Sequence, residues 1–229
     1  MATKKRSQPP ARKHPNPRAE ARKAAQRRQR IMFVAAGIGV VALAVIIGVV
    51  SAGEGGDRIT VGDVAGDVDV DGEPLPQHAA NGADPGLDQR APVLNGEDFD
   101  GAPVTIGEPG RAQLVTFAAS WCPACQEELP ILTSWLEDGN LPDEVDLYAV
   151  ATSLDEGRPN WPPQDWFAEV GFPETVMVDD ASSTAAQAYG LSGTPFWVAI
   201  DADGDVVWRS SGMIPMDQLS ALANDLAES

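Results

Sequence analysis

Cys122 and Cys125 are the only cysteines of the 229-residue chain, and two residues separate them in Trp121-Cys122-Pro123-Ala124-Cys125. Thiols at this spacing can close a small disulfide ring and open it again, which is redox chemistry. A thiol attacks only as thiolate, so such a pair needs surroundings that favour the anion. The free N–H groups and dipole at a helix start supply them. Three other readings stand beside redox exchange. A zinc half-site would need about four ligands, and His78 is the only histidine beyond the apolar stretch at 31–50. An inert structural disulfide would gain little, because closing so short a loop stabilises less than closing a long one. A degenerate domain that only binds partners is the third, although nothing in the motif is missing.

The flanking elements suit the pair. Gln113 to Ala118 reads as a buried strand, and Gln126 to Leu136 as a helix with apolar Leu129, Ile131, Leu132, Trp135 and Leu136. Pro123 fits the first helical turn, where its missing N–H costs nothing. Cys122 then sits at the helix mouth as nucleophile, with Cys125 one turn inside, more buried, as resolving thiol. Around them the pattern predicts strands at 103–106, 113–118, 145–151, 175–178, 196–201 and 205–210. Helices are predicted at 123–137, 164–170, 183–189 and 216–227. Ala202-Asp203-Gly204 signals a hairpin between the last two strands. The alternation predicts an α/β domain with a central mixed sheet flanked by helices, and about 140 residues can bury one core.

These residues resemble the thioredoxin superfamily, and within it the membrane-anchored TlpA/ResA-like thiol–disulfide oxidoreductases. The resemblance runs from about Ala91 to the C-terminus. Trp121-Cys122-x-x-Cys125 is similar to the active-site motif, and Pro130 to the proline that kinks the active-site helix. Gly193-Thr194-Pro195-Phe196 resembles the cis-proline loop, and Ala91-Pro92-Val93-Leu94 with Phe99 to Val104 the opening hairpin. Arg158 to Phe167 resembles an insertion of TlpA-like domains; its aromatics read as packing residues. Thioredoxin keeps a buried aspartate where this chain has Thr116, whereas TlpA-like proteins place a glutamate where this chain has Glu128.

The resemblance implies a thioredoxin-like fold, a redox-active Cys122–Cys125 disulfide and a cis Thr194–Pro195 bond. It also implies a proton-relay role for Glu128 in a dry interior beside Cys125; the other reading has Glu128 facing water at the helix start, like Glu127. The expected catalytic residues are Cys122, Cys125 and Glu128. Trp121, Pro123, Thr194 and Pro195 are expected to form the substrate surface, against which a substrate segment adds as a short strand. Met213 and Ile214 are candidates for the same face. No cofactor and no metal are expected.

Charge divides the chain. The first 30 residues hold 11 of its 16 Lys and Arg, with Glu20 their only acid, whereas five cations face 33 acids beyond them. Between these zones Ile31 to Val50 is uncharged, enough for a helix spanning roughly 30 Å, the hydrocarbon thickness of a bilayer. The expectation is a basic cytoplasmic tail at 1–30 and a transmembrane signal anchor at 31–50. An extracytoplasmic linker at 51–85 and a thioredoxin-like domain at 86–229 follow, in a bacterial-type plasma membrane. A cleaved secretory signal is the alternative, though its apolar core is usually shorter. The tail has no aromatics; anionic lipid headgroups explain it better than nucleic acid does.

The linker reads as a coil reaching roughly 30–35 Å, with a strand on the domain edge as an option. Its Asp67-Val68-Asp69-Val70-Asp71-Gly72 copies half of a calcium loop, but His78 stands where the twelfth-position glutamate belongs. Expected partners are protein thiols and disulfides and a membrane-bound thiol electron donor or acceptor. The resemblance favours a reductant, for example in cytochrome c maturation. The rivals are a redox-inactive binding module at the membrane, a disulfide-forming oxidant and, within the enzyme class, a peroxidase of peroxiredoxin type.

Overall fold

A computed structural model describes residues 58–79 and 81–228. Its framework is a five-stranded sheet of order β6-β5-β4-β7-β8, built from β4 (Ala112–Ala118), β5 (Val145–Ala151), β6 (Thr175–Val178), β7 (Phe196–Ile200) and β8 (Val206–Ser211). β4, β5 and β6 run parallel, while β7 pairs antiparallel with both β4 and β8. Parallel neighbours need crossovers. α2 (Pro123–Glu137) and α3 (Pro163–Val170) supply them, while α4 (Thr184–Ala188) leads toward β7 and α5 (Met216–Ala227) closes the described chain. Every residue of β4 and β7 is buried, as expected of strands covered on both faces.

Alternation along β7 divides the core between the two faces of the sheet. Trp197 and Ala199 join Leu129, Leu132 and Trp135 of α2 and Leu219 and Ala223 of α5. Phe196, Val198 and Ile200 join Tyr189 and the second sheet. That sheet is β1 (Asp69–Asp71), β2 (Val93–Glu97) and β3 (Pro103–Ile106), all antiparallel, with Leu94 and Ile106 buried.

The segment expected as linker packs on the domain from Ile59 onward, so the domain does not begin at residue 86. A short helix α1 (Val61–Val64) is followed by β1 on the edge of β2. Leu75 is buried, its N–H donating to the Ala188 carbonyl at 2.8 Å, and the His78 N–H donates to Gly190. Asp84 meets the fully buried Arg209 side chain, whose guanidinium also donates to the carbonyls of Pro76 and Tyr189. The strap is held by backbone hydrogen bonds and one ion pair, with few apolar residues, so hydrophobic periodicity misses it. Asp69 to Asp71 form the edge strand that the sequence left as an option, with both aspartates exposed to solvent. Among the described residues no helix is long and apolar enough to cross a membrane. The expected tail at 1–30 and span at 31–50 lie outside those residues.

Candidate active site

β4 delivers the chain to the thiols. Past Ala118 the backbone turns through Ala119-Ser120-Trp121, and Cys122 takes the N-cap position of α2 in extended conformation, with Pro123 following in the first turn. The Cys122 carbonyl accepts the Gln126 N–H at 3.0 Å, the first helical bond. Both cysteines are reduced, Cys122 6% exposed and Cys125 1%. The asymmetry expected from their order along the helix is therefore present, although the outer sulfur is itself largely covered.

The Thr194–Pro195 bond is cis, and the Cys122 thiol donates to the Thr194 carbonyl at 3.3 Å. Burial by itself would push the Cys122 thiol up. Hydrogen bonds from the Thr194 and Cys125 side chains and from the Cys125 and Ala124 backbone outweigh it, holding Cys122 below the ordinary thiol value. Cys125 goes the other way. Burial dominates, a hydrogen bond with Cys122 adds to it, and the thiol lies far above its usual range. One sulfur is poised to ionise and the other to stay protonated.

Glu128, one turn beyond Cys125, is 3% exposed, whereas Glu127 is exposed. Burial raises the Glu128 carboxyl, opposed by the Ile214 N–H at 2.8 Å on Oε1 and the Trp197 indole N–H at 3.1 Å on Oε2. Thr116, where thioredoxin has its aspartate, is buried and pairs in register with Trp197. The interior carboxyl lies on α2, and β7 provides one of its two donors. The sequence reading offered Met213 and Ile214 for the substrate face; Met213 is exposed, whereas Ile214 is buried and serves Glu128, and Trp197 was missed. Strand alternation signals it, because Trp197 points to the α2 side of β7.

Of the expected substrate surface, Pro123 is exposed, Trp121 and Thr194 half-buried and Pro195 buried. Two neighbours were missed. His78 on the strap stacks edge-on against Phe196 at 5.4 Å, with Nδ1 3.2 Å from the Ser192 hydroxyl. The insertion between β5 and α3 also reaches the motif. The Trp121 indole N–H donates to the Ser153 carbonyl at 2.7 Å, the Asn160 amide donates to the Ser120 carbonyl at 3.0 Å, and Arg158 lies 4.5 Å over the Trp121 ring. Neither contact has a local sequence signal.

The arrangement pairs an ionisable sulfur with a buried partner thiol, a facing backbone carbonyl and an interior carboxyl. The Redoxin family model matches residues 87–226. The chain belongs to the Redoxin family. Among curated relatives, methylamine utilization protein MauD of Methylophilus methylotrophus is 43% identical over 126 residues, 54% of each chain. Thiol:disulfide interchange protein HelX of Rhodobacter capsulatus is 28% identical over 116 residues, 48% of this chain and 58% of that protein. The chain thus spans about half the length of the relatives it matches.

Among solved structures, a thioredoxin candidate from Neisseria meningitidis superposes with a TM-score of 0.52 at 26% identity, over 62% of this chain and 93% of that one. A candidate thiol:disulfide interchange protein DsbE from Chlorobium tepidum gives 0.51 at 22%, covering 62% and 97%. The redoxin domain has the thioredoxin-like fold that its motifs implied.

Proposed function

We propose that this redoxin is a thiol–disulfide oxidoreductase acting on protein substrates, held by residues 31–50 in a bacterial-type plasma membrane with its catalytic domain outside. The observation that carries the activity is the placement of the two thiols, Cys122 at the N-cap of α2 with its sulfur 3.3 Å from the Thr194 carbonyl and Cys125 more deeply buried in the first turn. This arrangement displaces Cys122 below and Cys125 above the ordinary value. The names of relatives such as HelX support interchange as the reaction. In the reducing direction the Cys122 thiolate attacks a substrate disulfide, forming a Cys122–substrate bond and expelling one substrate thiolate. Cys125, once deprotonated, attacks the Cys122 sulfur, releasing the second substrate thiolate and leaving a Cys122–Cys125 disulfide. Glu128 takes the Cys125 proton in that step, a role its raised affinity for protons suits. Substrate backbone pairs beside Thr194 and Pro195, with Trp121 and Pro123 flanking the disulfide.

Electrons flow outward from a membrane-bound dithiol to substrate in this reading, and cytochrome c maturation is one use of such a reductant. The test uses the full chain in detergent with a model protein disulfide. Cys122→Ser abolishes exchange, and Cys125→Ser accumulates mixed disulfides at Cys122. Failure of the wild type to exchange, with no trapped adduct in Cys125→Ser, would leave only a redox-inactive binding module. The Cys122/Cys125 potential, measured against a glutathione buffer, decides the direction; a strongly oxidising value overturns the reductant assignment.

A further inference from the structure

Thiol exchange guided by backbone pairing has little side-chain selectivity of its own, so selectivity depends on what rims the disulfide. At this rim the guanidinium of Arg158 lies 4.5 Å over the ring of Trp121, the residue preceding Cys122. Stacking on an aromatic face orients the planar guanidinium and leaves its edge available to a carboxylate fork. Asp155 meets that edge at Nε, 3.4 Å away. Among the described residues no hydrogen bond uses the two terminal nitrogens, and the side chain is 53% exposed.

The turn that carries Arg158 is pinned on both sides. Inward, Ser153 and Asn160 bond the active-site loop at Trp121 and Ser120. Outward, the Glu156 carboxylate accepts the Val61 N–H at 3.0 Å, and the Trp161 indole donates to the Ile59 carbonyl at 2.7 Å. The backbone that carries Arg158 is therefore fixed, and the Trp121 ring and Asp155 orient its guanidinium, which lowers the ordering cost on binding. Arg158 is also unusual in its setting. Only five cations follow residue 30 against 33 acids. Of the other four, Arg209 is buried on Asp84, Arg90 pairs with Asp205, Arg111 pairs with Asp146, and Arg58 stands exposed at the first described residue.

We infer that the Arg158–Trp121 platform is an interaction surface for a substrate segment carrying Asp or Glu beside its cysteine. Arg158 would be the residue that reads this acid. The inference rests on the exchange activity proposed above. At ordinary ionic strength the remote acids of the domain are largely screened beyond about 8 Å. With Asp155 held at Nε, the two terminal nitrogens of Arg158 are the group in contact range that distinguishes otherwise identical substrates.

The experiment compares two disulfide-bridged peptides, identical except for Glu or Gln beside one cysteine, with the full-length protein in detergent. Wild type should favour the Glu peptide in kcat/KM by about threefold, the scale of a half-exposed ion pair, and high salt should erase the preference. Arg158→Gln should bring the ratio to about one and Arg158→Glu should invert it, with the pH profile of Cys122 alkylation unmoved. A ratio equal in wild type and both variants overturns the inference. An unchanged ratio with a displaced alkylation profile overturns it too, and assigns Arg158 to tuning the thiol. If neither peptide is exchanged, the proposed activity fails instead. Binding of the same peptides by fluorescence anisotropy then decides Arg158 separately, equal affinities in wild type and Arg158→Glu refuting it.

Discussion

Replacing Trp197 with phenylalanine removes one of the two donors that hold the buried Glu128 carboxyl, the indole N–H at 3.1 Å from Oε2. The Ile214 N–H on Oε1 remains. A hydrogen bond to a charged acceptor contributes about 1.5–3 kcal/mol to the charged form. Losing it therefore lowers the carboxylate-to-carboxyl ratio at a given pH by roughly tenfold or more. Burial already raises this carboxyl, and the variant should raise it further. The folded value lies above that of the unfolded chain, about 4.3. The stability Glu128 contributes is therefore fully present below that pH and is lost as pH climbs through the raised folded value. Trp197→Phe extends this loss, so its destabilisation, about 1–3 kcal/mol including the smaller side chain in a sealed core, should be larger near about pH 8 than near about pH 5. Urea melts at the two pH values measure that difference. A carboxyl ¹³C titration of Glu128, assigned with Glu128→Gln, follows the group directly. A destabilisation equal at both pH values, or a midpoint unmoved or lowered, would refute the account of how Glu128 is held.

Three other outcomes follow from the same contacts. Cys122 should alkylate with a midpoint below the ordinary thiol value of about 8.5, while Cys125 stays unreactive in native protein at the same pH; iodoacetamide labelling with peptide mapping checks both. Glu128→Gln should slow exchange and flatten its pH dependence in the neutral range while the fold persists, and unchanged kinetics across pH would remove the proton relay. Arg209→Met should cost about 3–5 kcal/mol, because it strands Asp84 and two carbonyls inside the protein. Burial opposes ionisation of Asp84, but the Arg209 and Gly86 hydrogen bonds and the Arg209 charge hold its carboxyl below the usual range. Its contribution is thus present above about pH 4 and lost below it, a loss that acid melts should find missing in the variant.

Local pattern carried much of this protein. The all-apolar β7, the near-continuous β4 and the spacing of Leu129, Leu132 and Trp135 on α2 announce their elements because a strand or helix buries residues at a period set by its own backbone. Two thiols directly after a strand and a proline in the first helical turn put the reactive pair at a helix mouth before any coordinates. The expected boundaries of α2 and β5 match the structure residue for residue.

Tertiary structure decided the rest. The donors on Glu128 come from Trp197 and Ile214, 69 and 86 residues away, and only the register of β7 and the chain beyond β8 bring them there. The strap is a Gly, Asp and Pro-rich stretch whose docking depends on Arg209, 125 residues beyond Asp84. Arg158 reads as an ordinary surface cation until the insertion folds back over Trp121. Apolar burial repeats along one element and so is written locally. A polar contact needs two atoms within about 3 Å of each other, and separate elements meet that closely only once the whole chain has packed.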